Sequence, residues 1–72
     1  MKAETSLNKA IRHDTAAGRM SEKFLRTGEI HYIDHAISLF DRARRAYLEA
    51  GREASASDCA TAIANLKAKH NR

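Results

Sequence analysis

Apolar residues recur at spacings of three and four along three stretches of the chain, which predicts three amphipathic helices. The first stretch covers about 6–26, and the following Thr27-Gly28 indicates a helix stop because glycine accepts the left-handed conformation of a C-terminal cap. Gly18 lies inside this stretch and costs about 1 kcal/mol relative to alanine, so the sequence leaves open whether helix one is continuous. The apolar positions of helix one are Leu7, Ala10, Ile11, Ala17, Met20, Phe24 and Leu25.

The second stretch, about 30–50, has the widest apolar arc of the three and is followed by Gly51 as its expected cap. One side carries Ile30, Ile33, Ile37, Phe40, Tyr47 and Leu48, and the arc is widened by Tyr32, Ala36, Leu39, Ala43 and Ala46. A helix that touches one neighbour needs an apolar arc of only about 100°. We therefore expect the middle helix to contact two neighbours, or one neighbour and a partner molecule.

The third stretch covers about 56–69. Ser55-Ala56-Ser57-Asp58 has the spacing of a capping box, with aspartate in place of the usual glutamate, and this predicts the start of helix three. Its expected buried side consists of Ala56, Cys59, Ala60, Ile63 and Leu66. The polar tail 67–72 is expected to fray.

Short connections between three helices predict an all-α, up-down-up three-helix bundle, or a helical hairpin with a third helix added, as a single domain over 1–72. The expected core is Leu7, Ile11, Met20, Phe24, Leu25, Ile33, Ile37, Phe40, Tyr47, Leu48, Cys59, Ile63 and Leu66. This core is small, so a homodimer that shares the broad face of helix two stays open as an alternative.

The composition supports a helical domain in a reducing cytoplasm. Alanine is the commonest residue and proline is absent. One cysteine excludes an internal disulfide framework, which a secreted domain of this size normally needs. No apolar run approaches the roughly 20 residues of a membrane span, and the N-terminus does not have the pattern of a signal peptide. We expect no membrane association.

The net charge of +4 is concentrated near the N-terminus, where residues 1–28 carry six basic and three acidic side chains. If helix one is continuous, its basic residues fall within about 100° of arc, opposite Leu7, Ile11 and Leu25. The predicted stripe consists of Lys9, Arg12, Arg19, Lys23 and Arg26. It predicts contact with an acidic protein surface or with nucleic-acid phosphate, the alternative being an ordinary solvated face.

Arg44 is a second candidate binding residue because the helical wheel places it between Ile33 and Ile37 on the apolar side of helix two. A buried guanidinium needs a partner, for which Asp41 and Asp14 are the candidates. The alternative is an exposed arginine near aromatic residues, a composition typical of binding hot spots.

The sequence argues against several chemistries, and we expect no catalytic residue, metal or cofactor. His31 and His35 have the spacing of paired zinc ligands but no further ligand nearby, so solvent-facing histidines are expected. Cys59 is expected to be a small buried hydrophobe, although a place early in helix three could lower its pKa. The isolated glycines form no phosphate loop, and no turn glycine has the flanking residues of a DNA-binding helix-turn-helix.

These observations favour a small non-enzymatic regulator or inhibitor that binds a larger protein with an acidic surface, for which transcription or other nucleic-acid-handling machinery is a candidate. Its size is typical of regulators of the phage or mobile-element type. Two alternatives remain at this stage. One is direct, weakly specific binding of nucleic acid through the basic face of helix one, and the other is an oligomeric structural protein.

Overall fold

A computed structural model describes residues 5–70, and within them the predicted all-α, three-helix architecture is confirmed. The helices are α1 (Ser6–Thr27), α2 (His31–Glu49) and α3 (Glu53–His70). Residues 1–4 and the last two positions of the expected polar tail lie outside the described part. No helix within 5–70 has the length and apolar character needed to cross a bilayer.

The ends of α1 follow from its capping residues. Thr5 is the N-cap, and its side-chain oxygen accepts a hydrogen bond from the backbone N–H of Asn8 at 3.1 Å. Gly28 closes the helix at φ 72°, where its N–H donates to the carbonyl of Phe24 at 2.7 Å. Between these caps α1 runs without interruption through Gly18, so helix one is continuous.

The predicted cap of helix three is wrong. The α3 helix begins at Glu53, three residues before the expected start, and Ser55–Asp58 are all helical. Gly51 lies in the middle of the preceding connection at φ 74°, and Arg52, which ends the connection, donates its N–H to the carbonyl of Tyr47 at 2.8 Å. This tight turn brings the chain directly into helix, so a cap at Ser55 is not needed.

The buried face of each helix includes a seam whose positions alternate in steps of three and four, the spacing of helices packed at a small left-handed crossing angle. The seam positions, buried or half-buried, are Ala10, His13, Ala17, Met20 and Phe24 on α1, Ile33, Ala36, Phe40, Ala43 and Tyr47 on α2, and Ala56, Cys59, Ile63, Leu66 and His70 on α3. The α2 helix packs against both of its neighbours, while α1 and α3 contact each other sparingly.

The buried part of the core is built mainly from small side chains. A cluster of Ala10, Ala43, Ala46, Tyr47, Ala56 and Cys59 joins all three helices, with Leu7 and Phe40 packed at its edge. Among large side chains of the described residues, only Ile33 is fully buried. Alanine at the seam lets neighbouring helix backbones approach closely.

Three residues expected in the core are on the surface instead. Ile11 is 48% exposed, Leu25 is 75% exposed and Leu48 is 49% exposed. The sequence pattern of α1 centres its buried face on the largest aliphatic residues, whereas the true seam follows Ala10 and Ala17, about a quarter turn away. The other expected core residues are buried or half-buried.

Candidate partner-binding surface

The outer face of α1 carries a row of arginines. Arg12, Arg19 and Arg26 are exposed and follow one another at intervals of seven residues, which corresponds to about 10.5 Å along the axis and a shared strip of about 40°. This strip lies opposite the buried Ala10 and Ala17, so it points away from the rest of the bundle. We call it the arginine row.

The other two basic residues of the predicted stripe differ in position. Lys9 is exposed and lies to one side of the arginine row, in the first turns of α1. Lys23 is half-buried, and its Nζ lies 5.8 Å from the centroid of the Tyr32 ring on α2, within cation–π range. Lys23 therefore links α1 to α2 rather than extending the row.

Two aliphatic side chains flank the row on its other side. Ile11 and Leu25 lie about 80° and 120° around the helix from the row's centre, with the exposed Thr15 and Glu22 between. Leu25 is the most exposed large hydrophobic side chain among residues 5–70. The outer face of α1 thus combines guanidinium groups with unburied aliphatic surface.

Arg44 lies on a different surface, between α2 and α3. Its guanidinium donates to Asp41 Oδ1 at 2.9 Å, while Arg45 contacts the other carboxylate oxygen at 3.0 Å. The Arg44 hydrogen bond and the nearby charges of Arg45 and Lys67 lower the pKa of Asp41 against a smaller opposing effect of burial. The Arg44 side chain remains 34% exposed.

Asp14, the other candidate partner of Arg44, instead accepts a hydrogen bond from the hydroxyl of Tyr47 at 3.0 Å. Burial, together with this hydrogen bond and the negative charge of Asp14, raises the pKa of Tyr47 to about 12. This pair could not be predicted from the sequence, because the two residues belong to different helices and their contact depends on how α1 and α2 are aligned in the bundle.

Cys59 has the environment of a structural thiol. It is buried as the seventh residue of α3, beyond the first turn where a helix N-terminus could have favoured the thiolate. Burial, assisted by the charges of Asp14 and Asp58, raises the pKa of Cys59 to about 11. At neutral pH the thiol is protonated and a poor nucleophile.

The paired histidines of α2 are both exposed. His31 Nδ1 lies 3.6 Å from a carboxylate oxygen of Glu29, and its ring lies against that of Tyr32 with centroids 4.1 Å apart. Within residues 5–70, no three side chains of the histidine, cysteine or carboxylate type are grouped as metal ligands.

Comparison with known proteins adds no relative. No protein-family model matches the chain, and neither a curated protein nor a solved structure shows significant similarity to it. A functional interpretation therefore depends on the surfaces described above.

Proposed function

We propose that this chain is a non-enzymatic regulator or inhibitor that binds an acidic surface of a larger protein through the outer face of α1. The observation that carries the proposal is the exposure of Leu25 and Ile11 beside the arginine row. Arginine is enriched at protein interfaces, and the buried core of an interface is more apolar than the rest of the surface; this face combines arginine with exposed aliphatic side chains.

The aliphatic flank favours protein over nucleic acid as the partner. Nucleic-acid backbones are bound chiefly by charge and hydrogen bonds to phosphate, which leave an exposed leucine without a role. An acidic protein groove offers carboxylates to the arginines and apolar surface to Leu25 and Ile11 in one contact. A continuous helix that presents one mixed face is also a common form of docking element.

The partner is identified by crosslinking from the proposed face. A photo-crosslinking residue at Thr15, between the arginine row and the aliphatic flank, is expected to capture one protein from nuclease-treated lysate. The same residue at Ser38, exposed on α2, serves as the control and is expected not to capture it. Capture at Thr15 that disappears after nuclease treatment would indicate a nucleic-acid-mediated contact and contradict the proposal.

Charge reversal then tests the arginine row with the purified partner. Arg19→Glu with Arg26→Glu is expected to weaken binding at least tenfold, mainly by slowing association, while helicity is retained. Arg42→Glu with Lys69→Glu makes the same change in net charge at exposed positions of α2 and α3 and is expected to bind like the parent. Equal losses in both variants would show that only total charge matters.

Measurement of direct binding to mixed-sequence DNA and RNA distinguishes the proposed protein partner from the alternative of a nucleic-acid partner. For the parent chain we expect an affinity no tighter than roughly 10⁻⁵ M at physiological salt, within the range of non-specific charge contacts. Tighter binding that the Arg19→Glu, Arg26→Glu variant abolishes would replace the protein partner with nucleic acid.

A further inference from the structure

The α2 and α3 helices leave an open groove on the side of the bundle where Arg44 lies. A pocket of about 340 Å³ in this groove is lined by Arg44, Leu48, Glu53, Ala56, Ser57 and Ala60. Leu48 is half exposed at one end, although it is among the larger aliphatic side chains of the chain. The groove therefore has apolar surface that the described part of the chain does not cover.

The α3 helix has a second seam that borders this groove. Its inner seam, which includes Ala56 and Cys59, packs against α2. A second set of positions follows in steps of four, three, four and three, the spacing by which one helix packs along another. This outer seam consists of Glu53, Ser57, Ala60, Ala64 and Lys67, all exposed. Its small central residues allow another helix to approach closely.

The two ends of the outer seam carry opposite charges, so the seam is complementary to a second copy of itself that runs in the opposite direction. Glu53 and Lys67 each lie seven residues from Ala60, which is about 10.5 Å along the axis in opposite directions. If two α3 helices pack antiparallel about a two-fold axis at Ala60, Glu53 of each copy meets Lys67 of the other. Two-fold symmetry requires this kind of self-complementary surface.

We propose that a second copy of this chain occupies the groove, through antiparallel pairing of the two α3 helices. The methylene stem of Lys67 from one copy covers Leu48 of the other, and its ammonium group reaches Glu53. A domain whose described part fully buries only one large side chain, Ile33, gains apolar burial by such pairing. The dimer uses a surface separate from the outer face of α1, so it does not depend on the proposed function.

Engineered disulfides test the two-fold axis. In a Cys59→Ala background, Ala60→Cys places a thiol at the axis, where it meets its own copy within disulfide reach. Ala54→Cys places a thiol at another exposed position of α3, off the outer seam. Under mild oxidation we expect a covalent dimer from Ala60→Cys and almost none from Ala54→Cys. Equal crosslinking of both positions would overturn the proposed arrangement.

Charge exchange tests the contact without a covalent link. Sedimentation of the parent from micromolar to millimolar concentration is expected to show a species of twice 8.0 kDa. Lys67→Glu should weaken dimerisation by roughly tenfold, since two pairs become repulsive, and Glu53→Lys added to it should restore most of the loss. Helicity by circular dichroism confirms that each variant folds. A mass of 8.0 kDa for the folded parent at every concentration would overturn the proposal and leave the groove to a different protein.

Discussion

Ile33 and Leu25 are large aliphatic residues that both occupy helical core spacing in the sequence, yet they have opposite environments in the bundle. Ile33 is fully buried, whereas Leu25 is largely exposed. Ile33→Ala is expected to lower the free energy of unfolding by about 2–5 kcal/mol, because it leaves a cavity at the only large, fully buried side chain described. Leu25→Ala should change it by less than about 0.5 kcal/mol.

Urea unfolding followed by circular dichroism measures both changes under the same conditions. A loss of that size is a large part of the stability of so small a domain, so Ile33→Ala is expected to be partly unfolded without denaturant. If Leu25→Ala were as destabilising as Ile33→Ala, the seam that runs through Ala10 and Ala17 would be misplaced.

Tyr47 and Cys59 make the bundle sensitive to alkaline pH. The pKa of Tyr47 rises from 10.0 to about 12 on folding, and that of Cys59 rises from 9.0 to about 11. In both cases the unfolded chain loses its proton at a lower pH than the folded chain. The stability is therefore complete below about pH 9 and is lost as the pH rises towards the folded pKa values.

Urea midpoints measured from neutral pH to about pH 11 should stay level up to about pH 9 and then fall. Tyr47→Phe removes the titrating hydroxyl, so its midpoint should be lower at neutral pH but decline less above pH 10. A parent midpoint that is constant over the whole range would contradict the burial of both groups.

At the scale of the helix, Gly18 and Gly28 are expected to respond oppositely to the same substitution. A methyl group at Gly18 would have no atom within 4 Å outside its own helix backbone, and Gly18 lies in the interior of α1. Gly18→Ala should therefore stabilise the protein by about 1 kcal/mol, through higher helix propensity. Gly28→Ala should destabilise it by about 1–2 kcal/mol, because position 28 requires a left-handed conformation with φ 72°.

Thermal melts detect both changes, since about 1 kcal/mol corresponds to a shift in Tm of roughly 4–8 °C for a domain of this size. Gly18→Ala is expected to melt higher than the parent and Gly28→Ala lower. A lower Tm for Gly18→Ala would indicate that α1 is bent or tightly packed at that point.

Helix number and the two glycine stops could be predicted from the sequence because they depend on local chemistry. Gly28 and Gly51 both adopt the left-handed conformation that their positions after helical stretches suggested. The start of α3 was missed because the turn at Gly51 and Arg52 leads directly into helix, while Ser55 offered a more familiar cap. The sequence thus contains two local signals for the start of α3, and the folded bundle uses the turn at Gly51 and Arg52.

The candidate surface could be predicted only in part from the sequence. The arginine row follows from helical periodicity alone, since it needs only a continuous α1. The half-buried position of Lys23 over Tyr32, and the exposure of Leu25, depend on which quarter of α1 faces α2. The seven-residue spacing of Ala10, Ala17 and Phe24 indicated which face of α1 is buried, but alanine is a weaker indicator of burial than leucine.

For the whole molecule, the two candidate surfaces are separate. The arginine row faces away from α2, while the groove beside Arg44 lies between α2 and α3. A dimer formed through α3 would leave both copies of the arginine row exposed. Binding to a partner with two acidic sites would then be stronger than binding by one copy, provided that both sites can be reached together.

The packing of each helix mainly on its neighbour in the chain also has a kinetic consequence. Connections of three residues, 28–30 and 50–52, separate the helices, so the first contacts between neighbouring helices close only short loops. Helical bundles with such local contacts fold in microseconds to milliseconds. The α1–α2 hairpin can therefore close before α3 packs against α2. Until α3 packs, Tyr47 and its alanine neighbours lack the cover of Ala56 and Cys59, and the α1–α2 hairpin exposes the cluster that joins the finished bundle.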